Sequence, residues 1–304
     1  MTVLALELGP TRFAAGRVAS DVGAADIRRI PVPARAAWDS CRELLLDAAE
    51  GGAVTSVGIA ATGPIDMVAG VVAPAEVAEW RTGFRIVERV RTLFPEAAVQ
   101  LAFDGVCLAL AERNFGATHA TLDALSIAVS HRVSGGVMMG GLVAAGRTGN
   151  AGHIGHVLVP GFDEPCECGG RGCLETVAGV PAVLAWAQAN GWPGTTVTEL
   201  VEAVRSGAQV PVAAVGRAGT ALGQAVASVA ALLDLDLVVV GGVLADCGPA
   251  LFHPLGAAVA THARLSYLPA LRVVPSQLGD VGVLAGAGVL ALATQGDRTP
   301  KGRQ

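Results

Sequence analysis

The chain has 304 residues, 52% of them apolar and only 15% charged, and its net charge is −5. That is enough apolar side chain for two ordinary domains with real cores, and it excludes a disordered chain. The mildly acidic balance, with no basic block, argues against a nucleic-acid surface.

Residues 3–8 read as a buried strand, followed by a turn at Gly9-Pro10-Thr11 and a second strand over Phe13–Ala19. A third strand is expected over Ile27–Val32. Ala36–Ala49 has helical spacing through Trp38, Cys41, Leu44, Leu45 and Ala48. Val54–Ala61 is a strand ending at the Thr62-Gly63-Pro64 turn. A helix over Phe84–Leu93 and a strand over Ala98–Ala102 follow, and Asp104 then heads a helix to about Asn114. The pattern restarts as a strand over Ala124–Val129, a turn at 131–134 and a strand over Gly135–Val143. Beyond residue 180 come a helical region with Pro181, Trp186 and Trp192, a helix over Thr196–Arg205 with Thr196 as N-cap, and one or two helices over Val210–Leu233. A strand over Leu235–Val240, a helix over Gly248–Thr261, a strand over Ala270–Val274 and a closing helix over Val281–Ala293 complete the order. The expected division is an N-terminal α/β lobe, 1–117, completed by the helix at 281–295, and a C-terminal α/β lobe, 118–280. Residues 296–304 read as a disordered tail.

Three of the six cysteines, Cys166, Cys168 and Cys173, are close neighbours, and His156 lies ten positions before the first. Three thiolates and an imidazole make a closed tetrahedral shell for a structural Zn²⁺. Pro165, Gly169, Gly170 and Gly172 supply the turns that bring near neighbours onto one ion. Three unrelated thiols in a Gly-rich loop would look the same. Cys41, Cys107 and Cys247 read as isolated buried thiols with no disulfide framework.

Asp104 is the general-base candidate, because apolar neighbours (Phe103, Val106, Cys107) would desolvate it. A helix N-cap accounts for the same position. Glu175 is either a charge on a helix face or a carboxylate mounted rigidly beside the metal. His153 alone is a surface or core histidine. Gly9 to Arg12 and Gly241-Gly242 each follow a strand, where their amides could face phosphate or simply turn the chain. The only lysine is Lys301, so a Walker A or Schiff-base lysine is excluded from the folded body. Met1–Leu8 has no basic flank and carries Glu7, unlike a signal peptide. The apolar runs 227–244 and 281–294 contain acids or fall short of the roughly 20 residues a bilayer span requires. A cytoplasmic protein without membrane contact is expected.

The order G-x-x-G-x-x-G-H, then C-x-C-G-x-x-G-C-L-E, resembles the signature of the ROK family of repressors, open reading frames and sugar kinases. The Thr62–Pro64 turn, the Asp104 junction, the L-D-L-D-L-V-V-V-G-G strand and the closing G-x-x-A-G-A-G helix extend the likeness over about residues 3–295. The resemblance implies an actin-like, ribonuclease-H-like α/β fold of two lobes with a cleft between them. It implies a glucokinase-like enzyme phosphorylating a hexose or hexose-like hydroxyl with ATP and Mg²⁺. Asp104 matches the family's base. His156 matches a histidine that holds zinc and contacts sugar, with Cys166, Cys168 and Cys173 as the other zinc ligands. His153 and Glu175 match sugar contacts, and Gly9, Thr11, Arg132, Gly135, Gly136, Gly241 and Gly242 the nucleotide contacts. A homodimer is implied as well. With no helix-turn-helix ahead of the first strand, the repressor branch is not expected.

The chain departs from the family pattern at the phosphate turns, with Glu7, Pro10 and Ser130–Ser134 where acid and glycines are usual. It departs again in the sugar site, at Phe103, Ala75 and His153. A protein of this fold that senses sugar or nucleotide, or serves as a partner subunit without catalysis, is the alternative those changes raise.

Overall fold

The computed structural model describes residues 2–18, 26–268 and 271–296. The expected disordered tail from residue 297, the last residue of the second strand (Ala19) and Ala270 lie outside the described residues. The chain divides into two compact units, one of Met1–Phe115, Val143–Ala151 and Val281–Gln304, the other of Gly116–Leu142 and Gly152–Asp280.

In the first unit, β1 (Thr2–Leu8), β2 (Arg12–Val18), β3 (Arg28–Pro31), β4 (Val54–Ala61) and β7 (Ala98–Phe103) form one sheet in the order β3-β2-β1-β4-β7. A short hairpin, β5 (Ile65–Asp66) with β6 (Val71–Val72), stands between β4 and β7 in sequence. β1 runs antiparallel to β2 and parallel to β4, and β4 runs parallel to β7. The parallel strands β1 and β4 are almost wholly buried, as their unbroken apolar runs require. Helices α1 (Ala37–Ala49), α2 (Ile86–Leu93) and α3 (Asp104–Phe115) complete the N-terminal part of the unit. The last helix of the chain, α9 (Gly282–Gly296), packs on β1, β4 and α3. The approach is close enough that a Cβ at Gly58 would run into the carbonyl oxygen of Ala287.

Residues 143–151, expected in the C-terminal lobe, belong to the first unit. The reason is a set of hydrogen bonds to β5 and to Met67 just after it. Met67 N donates to Thr148 O at 2.9 Å, Ile65 N to Asn150 Oδ1 at 2.9 Å, and Asn150 Nδ2 to Ile65 O at 2.7 Å. Asn150 thus satisfies both backbone groups of a residue far away in sequence, a pairing with no local signature.

The second sheet consists of β8 (Ala124–Val129), β9 (Val133–Met139), β10 (Leu142–Val143, whose last residue is the first of the 143–151 segment), β11 (Leu237–Gly241) and β12 (Arg272–Pro275), ordered β10-β9-β8-β11-β12. The helices of the second unit are α4 (Glu175–Ala178), α5 (Val180–Ala189), α6 (Val197–Arg205), α7 (Gln209–Leu233) and α8 (Pro249–His262). The expected single strand over 135–143 starts two residues earlier and breaks at Gly140-Gly141, where both glycines have positive φ (57° and 78°). α7 is one continuous helix, since Pro211 falls in its first turn, where a missing amide costs nothing. Asp234 ends it in the left-handed region (φ 53°), which delays β11 to Leu237. Each unit has its own apolar core. Among the described residues no helix is long and apolar enough to cross a membrane.

Candidate functional site

In the first unit, the carboxyl ends of β1, β4 and β7 lie side by side, the place where open parallel sheets bind ligands. β7 passes into α3 without a spacer, so Asp104 is the first helical residue, at the positive end of the helix dipole. It is 8% exposed. The hydroxyl of Thr62, just past β4, lies 3.5 Å from Asp104 Oδ2 and 3.3 Å from Leu8 O, while Thr62 N donates to Leu8 O at 3.1 Å. One threonine therefore ties the base candidate to the end of β1. The Gly9–Thr11 turn closes with Gly9 N donating to Arg12 O at 3.0 Å, and Thr11 is exposed. Burial pushes the Cys107 thiol well above its usual range, and the charges of Asp104 and then Glu7 push it further. Two acids thus stand near one end of α3. Thr62 was visible in the sequence only as part of a turn.

In the second unit, the zinc-type ligands converge. The ligand atoms of His156, Cys166, Cys168 and Cys173 all lie within 4.8 Å of one another. His156 Nδ1 is 3.7 Å from Cys166 Sγ, and the sulfurs of Cys168 and Cys173 are 3.7 Å apart. A tetrahedron with arms of ~2.3 Å has edges of about 3.8 Å, so the donor set and its spacing fit Zn²⁺. The turn is built locally. Cys166 N donates to Gly170 O and Gly169 N to Cys166 O, both at 2.9 Å, with Gly169 and Gly172 at positive φ (87° and 71°). Arg217 of α7 anchors the loop through Glu164 Oε1 at 2.5 Å and by lying over the Phe162 ring at 4.7 Å.

The same loop gathers the expected sugar contacts. His153 stacks on His156 with ring centroids 4.7 Å apart. Burial, then His156, draws its pKa down to about 4, leaving a neutral ring. Burial and the charge of Arg132 likewise hold His156 below its ordinary value, the form a metal-bound imidazole requires. Glu175 opens α4 and accepts from Val133 N at 2.7 Å through Oε2.

The expected nucleotide contacts divide. Gly135 and Gly136 do not line a turn. They sit inside β9, opposite Ile127 and Ser126, and a Cβ on Gly135 would come within 3.1 Å of Gly152 O. The close approach Gly135 permits is to the protein's own backbone. Gly241 ends β11, and Gly242 follows at φ 88°, where a Cβ would come within 2.6 Å of Val129 N and Ser130 Oγ. Ser130 Oγ accepts from Val243 N at 3.2 Å, so the ends of β8 and β11 are stitched at this point. Arg132, expected at phosphate, has its guanidinium between Glu167 and Glu175.

A family model described as the ROK family matches residues 3–294. The chain belongs to the ROK family. It is 33% identical over 236 residues to a kanosamine kinase of Amycolatopsis mediterranei, covering 78% of this chain and 76% of that protein. It is 27% identical over 310 residues to a glucokinase of Thermotoga maritima, covering 95% and 97%. Its structure is similar to that of a ROK family glucokinase from Streptomyces griseus in complex with glucose and AMPPNP, with a TM-score of 0.85 and 26% identity over 96% of this chain and 100% of that one. This ROK chain has the actin-like ATPase fold of those glucokinases.

Proposed function

We propose that this ROK protein is an ATP-dependent sugar kinase, transferring the γ-phosphate of ATP to a hydroxyl of a hexose or amino-hexose. What carries the reading is Asp104, a buried carboxylate at a strand end tied by Thr62, in a chain whose relatives are named kanosamine kinase and glucokinase. In this reading Asp104 takes the proton of the attacking hydroxyl as its oxygen bonds to the γ-phosphorus, and ADP leaves with the bridging oxygen.

His156, Glu175 and His153 are assigned to the sugar. A neutral imidazole at His153 offers one donor and one acceptor, which suits a hydroxyl or an amino substituent. His156, Cys166, Cys168 and Cys173 would hold Zn²⁺ with four protein ligands, so the ion would serve structure and leave the transfer to other groups. Mg²⁺ is expected with ATP, and Glu7 supplies the kind of oxygen donor that such an ion takes directly or through water. Bound Mg²⁺ would neutralise phosphate charge. Gly9, Thr11, Gly241 and Gly242 are assigned to the nucleotide. Gly135 and Gly136 belong to it only through the strand that carries them.

The test is ADP release with glucose, kanosamine and other hexoses, in the wild-type protein and Asp104→Ala. Sugar-dependent turnover that the substitution abolishes supports the kinase. Sugar and ATP binding without turnover in either protein would instead establish the non-catalytic sensor, which Pro10 and Arg132 in the phosphate turns favour.

A further inference from the structure

Arg132 occupies a turn between two strands, Ser130 to Arg132, closed by Ser130 N donating to Arg132 O at 3.0 Å. From there its guanidinium reaches two acids of its own unit. Nη2 donates to Glu167 Oε2 at 2.7 Å, and Nη1 lies 3.9 Å from Glu175 Oε1. The other oxygen of Glu175 is held by Val133 N. Side-chain exposure falls along this series, from 74% at Glu167 to 26% at Arg132 and 12% at Glu175. Glu167 stands between the zinc-type ligands Cys166 and Cys168, so the metal loop fixes its backbone. Around Glu175 there is no slack. A Cβ on Gly155 would lie 2.8 Å from Oε2, and one on Gly179 2.8 Å from Oε1.

A carboxylate gripped at one oxygen can still swing about that bond. A guanidinium at the other oxygen removes the freedom, and its planar fork can hold a second acid at the same time, which an ammonium does less well. A guanidinium already shared by two carboxylates is a poor phosphate ligand, since it would have to give up at least one charge-assisted bond to bind one.

We infer that Arg132 is a positioning residue for Glu175, braced by Glu167 of the metal loop, and is not a ligand of the nucleotide phosphates. The inference rests on the sugar-kinase reading through the role of Glu175. The rigidity of the metal-bound turn passes through one guanidinium to a carboxylate that contacts sugar. Glu167 therefore affects sugar affinity without touching the sugar.

The test measures, by calorimetry on the zinc-loaded protein, the affinity for whichever of glucose and kanosamine binds more tightly and, separately, for ATP–Mg²⁺. Zinc content is measured alongside. Arg132→Met is expected to weaken the sugar about tenfold or more, a change of ~1.4 kcal/mol, with ATP affinity and zinc content unchanged. Glu167→Gln should weaken the sugar less, and the double variant no more than Arg132→Met alone, as coupled residues behave. Arg132→Lys should recover part of the loss. A fall in ATP affinity with sugar affinity intact would overturn the inference, as would additive losses or loss of zinc in Arg132→Met. Turnover is a separate readout. Wild-type protein that binds a sugar but phosphorylates none refutes the kinase reading while the variants still decide the role of Arg132, and wild-type protein that binds neither sugar refutes both.

Discussion

The hydroxyl of Ser56 on β4 donates to the carbonyl of Ala291 on α9 at 2.7 Å, across 235 positions of sequence. Both groups are buried, and the bond locks the final helix onto the first sheet beside the close contact at Gly58. Ser56→Ala would leave a helix carbonyl without its side-chain donor and is expected to cost about 1–3 kcal/mol. Gly58→Ala puts a methyl into the backbone of α9, an overpacking error worth roughly 1–3 kcal/mol or more. Urea unfolding should rank Gly58→Ala as the more damaging, because backbone cannot move aside as a side chain can. Equal stability of the wild-type and Gly58→Ala proteins would contradict this packing.

Thr62 should matter to catalysis beyond its role in the turn. Thr62→Val keeps the shape and removes the hydroxyl that lies between Leu8 O and Asp104 Oδ2. Turnover is expected to fall about tenfold, well short of the 10²–10⁴-fold loss typical of removing a general base as in Asp104→Asn. Steady-state kinetics with saturating sugar and ATP separates the two variants. A Thr62→Val protein as inactive as Asp104→Asn would give the hydroxyl a larger part.

The metal loop predicts its own thermal behaviour. Chelation, or Cys168→Ser, should release the ion and lower the melting temperature, because a structural zinc contributes its binding free energy to folding. Metal analysis and thermal unfolding check this together. Stoichiometric zinc retained in Cys168→Ser would remove that residue from the ligand set.

Thiol titration should sort the six cysteines into two classes. Burial pushes the Cys41 thiol up to about 12 and that of Cys247 up to about 11, and Cys107 is raised as well. At pH 8 a thiol near 12 is ~0.01% thiolate, and the thiolate is the reactive form. These three are expected to resist a thiol reagent until the protein unfolds. Cys166, Cys168 and Cys173 should become reactive on chelation alone.

Helix α6 offers a pH test away from the site. Thr196 caps it by accepting from Glu199 N at 3.2 Å, and Glu199 Oε2 returns bonds from Thr195 N and Thr196 N, both at 2.9 Å. Those amides, Thr195 first, hold the Glu199 carboxyl below its usual range. A depressed folded value means that the stabilisation is present above the unfolded pKa and is lost as pH falls through the folded one. Glu199→Gln should therefore be less stable than wild type at neutral pH, and the gap should close in acid. A gap that persisted unchanged into acid would mean the ionised form is not what matters.

Much of the candidate site was legible in order along the chain, because its geometry is local. Cys166, Cys168 and Cys173 are joined by a few residues with glycine where φ is positive, so their sulfurs are brought together within one short loop. Thr196 and Glu199 likewise make their cap within four residues. The opening β1–β2 hairpin and the junction placing Asp104 at the head of α3 follow from apolar runs ended by turn residues.

What only the tertiary structure decided are pairings between distant groups. Asn150 draws residues 143–151 to β5 by filling the hydrogen-bonding needs of Ile65. Gly152 packs so closely on β9 that a Cβ there would run into the carbonyl oxygen of Gly135. Arg132 meets Glu167 35 positions later and lies by Glu175, which its neighbour Val133 bonds across 42 positions, pairings that no local pattern announces. The physical reason is common to all three. A buried polar group or a close backbone contact must be satisfied by whatever the fold brings near, and sequence periodicity records only which face is buried.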